Sequence, residues 1–344
     1  MVAHALDWTF SEINPGNLRR LLVSELGSDD ASDDPALRPP GQTLLIAAGA
    51  IFQPAVNGIV FSLLVKSPIV VKCSAHEQSL LPLFVRTIRD IDRDVGACAD
   101  AVTVLEESAW TAADAVVVYG SDETISAVRA RIPMEGETRF IGHGHKVSLA
   151  VAGRDALRDD AMAHETARNL ALDVAMYDQS GCLSPHCAYV ESGGPVGPDE
   201  FAEMLAGELE ALSTLLPLGR MPVEQSAAIR TLRAEFEFRG GAHFFGNRLS
   251  YTVLVDPDPA FRPSPLGRTI FVKTVDTVSG LPALLQPLDS HLQGIGASPA
   301  DCIRSLQQPM RALGASYFCP LGRLQRPPLD WQNGGVPCLK SLLK

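Results

Sequence analysis

An alternation constrains this chain more than any other feature. Short apolar runs bounded by turn residues are separated by stretches with helical periodicity. The runs are TLLIAAGA (43–50), PIVVKC (68–73), DAVVVYG (114–120) and KVSLAVAG (146–153). Each reads as a buried strand. Between them, 55–66, 77–92 and 122–132 read as helices. In the second of these, Leu80, Leu81, Phe84, Ile88 and Ile91 fall on one face at helical spacing. A strand–helix–strand–helix order implies right-handed crossovers and a parallel sheet with helices on both faces. Such sheets take ligands at the carboxyl ends of their strands.

The second half continues in the same style. An Ala-rich helix at 159–177 delivers the chain to the loop YDQSGCLSPH (177–186), and CAYVES (187–192) reads as a strand. A helix at 199–215 carries Phe201, Leu205, Leu209 and Leu212 on its apolar face. LSYTVLVD (249–256) and TIFVKTVD (269–276) read as further strands, so this half is a second α/β layer with its own core. Residues 27–41, acidic and rich in Pro and Gly, read as a linker or loop after a short N-terminal helical segment. A length of 344 residues is enough for two domains.

The formal net charge of -11 excludes a general affinity for nucleic acid or anionic membranes. The apolar stretch from Ala55 to Val65 is cut at Lys66, short of the ~20 residues that a spanning helix needs. MVAHALDWTF lacks the basic start and apolar core of a signal peptide. The seven cysteines form no CxxC pair. They read as reduced thiols of a cytoplasmic protein, neither a disulfide framework nor a zinc site.

Cys182 stands apart because Gln179, Ser180 and Gly181 precede it and Ser184, Pro185 and His186 follow. A buried structural cysteine usually sits in an apolar run, and this setting suits a thiol that a substrate must reach. A thiolate adds to a thioester carbon and leaves readily, Gly181 lets backbone approach, and the Cys182 amide is placed to face an oxyanion. On residues alone, a structural loop cysteine stays open. His186 reads as a loop or strand-start residue, because the partners of a Cys–His pair usually converge from distant segments. GHGHK (142–146) offers two histidines at i, i+2 with no third ligand nearby, so no metal is expected. VVVYGSDETI (116–125) is a strand, a Gly-Ser turn and a helix start, a place for a phosphate. Lys72 ends a strand, a place that can receive a nucleotide's ribose or phosphate; the alternative is a solvated charge.

Taken in order, the lysine after a strand, the Gly-Ser turn and the later cysteine resemble aldehyde dehydrogenases. LDVAMYDQSGCLSPHCAYVE narrows this, with LLVKSPIVVKCS (63–74), YGSDETI (119–125), GHGHKVSLAV (142–151) and PLGRLQRPPLDWQNGG (320–335). Together they resemble the acyl-CoA reductase family typified by the LuxC fatty-acid reductase of bacterial bioluminescence, from about Thr43 onward. The resemblance implies an aldehyde dehydrogenase-like α/β fold. Its parts would be an N-terminal segment with a Rossmann-type nicotinamide-binding domain (1–172), a catalytic domain (173–325) and a tail (326–344). It makes Cys182 the nucleophile, Lys72 and Ser74 ligands of the adenosine ribose or its phosphate, and Gly120 and Ser121 flanks of the pyrophosphate and nicotinamide. PLGRLQ would lie near the substrate tunnel. The implied substrate is an acyl-CoA or acyl-protein thioester. The implied partners are an acyl-transferase or acyl-protein synthetase, in a homo-oligomer.

Two departures from that pattern matter. Gly142 stands where hydrolytic relatives have a water-activating glutamate, so thiol chemistry is expected to outrun free-acid formation. Ala50 stands where the family has an asparagine that helps the oxyanion, and losing one such donor typically costs roughly a hundred- to a thousandfold in rate. Gln53 and Asn57 are the candidate substitutes. Where NADH enzymes place an acid three residues after the lysine, this chain has Ala75, with His76 next and Glu77 beyond; this points to NADPH. Two rival readings remain: a catalytically weak homologue that binds an acyl chain or a partner acyl enzyme, and a cysteine acyltransferase without nicotinamide.

Overall fold

The structure is a computed structural model that describes residues 2–30, 37–47, 49, 51–133 and 136–344. Ala50 and part of the 27–41 segment lie outside the described residues. The chain forms two compact units, Val2–His145 with Pro328–Lys344, and Lys146–Pro327. The change of unit comes at His145–Lys146, ahead of the 172 expected from sequence. Its cause is hydrogen bonding: the strand 147–152 pairs only within the second unit's sheet.

The first unit contains strands β1 (Thr43–Ile46), β2 (Ile69–Lys72), β3 (Ala99–Val102), β4 (Ala115–Tyr119) and β5 (Arg139–His143). They form one sheet in the order β3-β2-β1-β4-β5, and every pairing is parallel. β1 and β4 lie side by side although two strands separate them in sequence. The strand order therefore reverses at β1, where doubly wound sheets open a crevice for nucleotides. Leu44, Ile46, Val116 and Val118 pack with Val128 and Ile132 in one cluster. The helix Leu80–Ile91 buries Leu81 and Val85. Ile91, expected on that face, is 82% exposed, because the helix ends there and Asp92 starts the next turn.

Two helices, Val2–Glu12 and Pro15–Leu26, precede this sheet. The second is capped by the Asn14 side chain, which accepts from the Asn17 amide, and ends at Gly27 in the left-handed region. Buried Glu25 lies near its end. Its carboxylate accepts the amides of Cys338 (2.8 Å), Leu339 (2.7 Å) and Lys340 (3.0 Å). This contact returns the tail to the first unit.

The second unit contains β6 (Val147–Ala152), β7 (Pro185–Glu191), β8 (His243–Phe245), β9 (Thr252–Asp256), β10 (Thr269–Val275), β11 (Leu292–Ser298) and β12 (Tyr317–Pro320). Their order is β12-β11-β6-β7-β10-β9-β8, and β8 alone runs antiparallel, against β9. One sheet face carries the helices Asp160–Ala175 and Pro198–Leu215, whose Ala163, Ala167, Leu170, Phe201 and Leu205 share a core with Val190 and Val272. On the other face Leu232, Phe236, Leu306 and Met310 pack on Leu149, Phe271 and Ile295. Two irregularities interrupt the central pairing. Leu292 and Gly294 face consecutive β6 residues, which leaves Gln293 as a bulge on β11. Pro185 and Cys187 do the same, which leaves His186 as a bulge on β7.

Glu25→Ala is expected to lower unfolding stability by about 2–4 kcal/mol, because three amides lose a charged acceptor. Urea unfolding checks this, and proteolysis should then cut first within 328–344.

Candidate active site

The Cys182 loop begins where the Ala-rich helix stops at Ala175. Tyr177, Asp178 and Gln179 follow with φ of 54°, 51° and 65°. Each is a non-glycine residue in the left-handed region, a state that costs of order 1 kcal/mol or more and needs surrounding structure to hold it. That structure is present. The fully buried Arg268 donates from Nε (3.0 Å) and Nη2 (2.6 Å) to Asp178 Oδ1. Asp178 Oδ2 accepts the Gly219 amide at 2.9 Å. Gln179, also fully buried, donates to the carbonyls of Pro185 (2.8 Å) and Thr269 (2.7 Å) and accepts the Thr269 amide at 2.7 Å. The loop's polar residues thus hold the backbone like a missing strand, and this is why a polar stretch surrounds the cysteine.

A tight turn then presents Cys182. The Ser184 amide donates to the Gly181 carbonyl (2.9 Å), and the Gly181 amide donates to Ser184 Oγ (3.3 Å). The Cys182 carbonyl accepts from Ser148 Oγ at 2.7 Å. Cys182 is the exposed cysteine of the second unit. Solvent reaches it from one side, while dense protein surrounds the sulfur elsewhere. That desolvation pushes its pKa up to about 11. It is opposed by the amides of Cys182 and Leu183, by the Gln293 side chain and by the charge of Lys146. Gln293 Nε2 lies 4.0 Å from Sγ. Lys146 donates to the Ser290 carbonyl at 2.6 Å. Its own pKa is lowered by desolvation, against which Cys182 acts.

His186 Nδ1 accepts the Ser264 amide at 3.0 Å, and the ring packs near Phe261. Cys187 is buried, donates to the Arg262 carbonyl at 3.3 Å and has its pKa pushed up to about 12 by desolvation.

Asp173 went unnoticed in the sequence, although an acid inside an apolar helix face is a signal. It accepts the amides of Gly322 (2.7 Å) and Leu324 (3.0 Å), which shapes the PLGRLQ turn. Gln325 Nε2 reaches the Asp173 carbonyl (3.2 Å) and Ser184 Oγ (3.1 Å). The block near the end of the unit is thereby tied to both flanks of the cysteine loop. Gly322 sits at φ 83°, with a Cβ position 3.0 Å from Asn169 Oδ1, so no larger residue fits without strain.

In the first unit, Lys72 closes β2, half-buried. Ser74 Oγ donates to the Gly49 carbonyl (2.6 Å) and accepts the amides of His76 (3.3 Å) and Glu77 (3.0 Å). Its hydroxyl is fully engaged in joining the turns after β1 and β2. Ala75 is exposed. Glu77 Oε1 accepts the amides of Ser79 (2.8 Å) and Leu80 (2.6 Å) at the following helix start, while its Oε2 is buried without a hydrogen-bond partner. Ser121 caps the helix Asp122–Arg129 by accepting from the Thr124 amide. The Cβ position of Gly120 lies 3.0 Å from the Thr124 side chain. Gln53 and Asn57 occupy the first turns of the helix Gln53–Leu64, both half-buried. In GHGHK, Gly142 packs on Ile125. His143 stacks on Tyr119 at 4.6 Å, and the His145 amide donates to Asp122.

A family-wide sequence profile described as acyl-CoA reductase (LuxC) matches residues 2–344. The chain belongs to this family. Two long-chain acyl-protein thioester reductases are similar to it. That of Aliivibrio fischeri is 25% identical over 70% of this chain and 50% of its own length; that of Vibrio harveyi is 23% identical over 83% and 59%. The chain thus spans about half the length of these relatives. Solved structures show an aldehyde dehydrogenase-like fold. A Burkholderia multivorans NAD-dependent aldehyde dehydrogenase superposes with a TM-score of 0.62 at 16% identity, over 88% of this chain and 61% of that one. A Bacillus halodurans NADP-dependent glyceraldehyde-3-phosphate dehydrogenase complexed with NADP superposes with 0.64 at 19% identity, over 90% and 68%.

Burial pushes the pKa of Asp173 up to about 7, against the amides it accepts and the nearby Arg326. A raised carboxylate holds its proton more tightly in the folded chain. Its contribution is full below the ordinary carboxylate range and fades as pH rises to about 7. Stability should fall across that window, and Asp173→Asn should flatten the slope. Urea midpoints at acid and neutral pH check this; a wild-type advantage that grows with pH contradicts it.

Proposed function

We propose that this chain reduces a thioester, an acyl-CoA or an acyl group on a protein thiol, to an aldehyde with NADPH. The carrying observation is the exposed Cys182 at the tip of a loop whose strained backbone is clamped by Arg268 and Gln179. Its thiolate adds to the thioester carbon and the donor thiolate leaves, which places the acyl group on sulfur. Hydride addition to that carbon gives a tetrahedral alkoxide. Collapse re-forms the carbonyl, breaks the C–S bond and leaves the electron pair on Cys182. Gln53 and Asn57 are the proposed side-chain donors to the alkoxide. Gly142 in place of a water-activating acid keeps free acid a minor product.

NADPH, when bound, supplies the hydride. We assign it to the first unit, where the strand order reverses. Lys72 is the proposed partner of the ribose or its 2′-phosphate, Ser74 shapes the turn beside it, and Gly120 and Ser121 flank the pyrophosphate. The residues fit a 2′-phosphate: Ala75 leaves its position without a carboxylate, and Glu77 is held by the helix start. A partner acyl-transferase or acyl-protein synthetase and a homo-oligomeric assembly belong to the same proposal. No described helix is long and apolar enough to cross a membrane. Ala50 favours one alternative, a chain that holds an acyl group without reducing it.

Purified protein with a panel of acyl-CoAs should oxidise NADPH and release aldehyde in equal amounts. Cys182→Ala should abolish this, with NADPH fluorescence titration nearly unchanged. NADPH consumption that survives in the variant, or free acid formed faster than aldehyde, contradicts the proposal; acyl transfer without any NADPH consumption supports the alternative.

Ala75→Glu should raise the apparent KM for NADPH by about tenfold or more, through repulsion of the 2′-phosphate. Equal use of NADPH and NADH by the wild type, unchanged in the variant, removes Ala75 from the ribose.

A further inference from the structure

We infer that Gln293 is the side-chain hydrogen-bond donor to the Cys182 sulfur, held in that place by the bulge on β11. This rests on Cys182 being the reactive thiol. Three observations carry it. First, Gln293 is 1% exposed, a polar side chain inside a strand whose neighbours Leu292 and Ile295 belong to the apolar core. Second, its Nε2 lies 4.0 Å from Cys182 Sγ, at the outer limit of a hydrogen bond to sulfur, so that a small approach closes it. Third, Gln293 is the bulged residue, which lies between the register partners Leu292↔Val147 and Gly294↔Ser148. Bulges re-aim a side chain and are frequent beside active sites.

Gly294 sets the approach. Its Cβ position is 2.8 Å from Leu183 Cδ2 and 2.9 Å from Ser148 Oγ. A side chain there would have to displace Leu183 or Ser148, the two groups that lie between β11 and the cysteine turn. Ser148 fixes the other side by donating to the Cys182 carbonyl. Strand, turn and nucleophile are thus locked at one spacing by Ser148, Gly294 and Leu183.

The donor acts where sulfur carries charge: in the thiolate before attack, and again when the C–S bond breaks and the pair returns to sulfur. A neutral carboxamide stabilises that charge without becoming a base. Lys146 is the charged group that acts on the same sulfur. Gln293 would also hold the sulfur while it is acylated and uncharged, but more weakly, so its effect concentrates on the two charged states.

The test is the pH dependence of Cys182 carboxamidomethylation by iodoacetamide, read by peptide mass, with exposed Cys98 in the same digest as reference. Gln293→Met keeps length and removes the donor. The Cys182 rate at pH 8 should fall about three- to tenfold, and the midpoint of its pH profile should move up, while Cys98 is unchanged. Gln293→Glu should move the midpoint further up, because a second negative charge then faces the thiolate. Circular dichroism checks that each variant folds; if Gln293→Met does not, the profile of Gln293→Glu decides alone. Midpoints equal to wild type in the folded variants overturn the inference. No substrate or cofactor enters the assay, so failure here leaves the reductase proposal standing, and failure of that proposal leaves this one measurable.

Discussion

The structure around Cys182 depends on the pairing of Arg268 with Asp178. Three successive residues sit in the left-handed region without a glycine among them, and one local bond, from the Ser180 amide to the Tyr177 carbonyl, spans them. The buried guanidinium binds Asp178 through two nitrogens, and the other carboxylate oxygen is taken by the Gly219 amide. Breaking a buried pair by removing one partner typically costs about 3–5 kcal/mol, comparable in size to the strain of the segment it holds. Gln179 adds three hydrogen bonds of strand type. The loop is consequently held firmly just before the exposed Cys182.

Around that turn, desolvation outweighs the groups that favour charge on sulfur. Desolvation disfavours the Cys182 thiolate, and two backbone amides, one carboxamide and one lysine work against it. Asp173, earlier in the chain, shows the same balance: burial favours its proton, and the amides of the 322–325 turn favour its charge. Both groups are held by contacts with residues distant in sequence.

The strands most readable in the sequence were those buried on both faces. TLLI, IVVK, AVVVY and VSLAVA are continuous apolar runs because helices cover both sides. Edge strands β3 and β5 read as ADAV and RFIGH, with charged or polar residues facing outward, and no run marks them. β11, LQGIGAS, escaped for another reason. Gly294 and Gly296 interrupt its apolar run and leave room for Leu183, Leu321 and Leu324, so only Leu292, Ile295 and Ala297 mark the strand in the sequence. The cysteine itself was legible from its glycine and its polar loop. Gln293, Ser148 and Arg268 were not, because their roles arise from pairing between segments far apart. Ser74 was legible as a position but not as a bonding pattern: its hydroxyl is taken up by Gly49 and two amides.

The central claim is that the acyl group rests on Cys182. Incubation with an acyl-CoA in the absence of nicotinamide cofactor, followed by acid quench, proteolysis and peptide mass mapping, tests it most directly. A hydroxylamine-labile acyl mass on the peptide carrying Cys182 is the predicted result. The same mass on Cys187 or another cysteine, with Cys182 unmodified, contradicts the account.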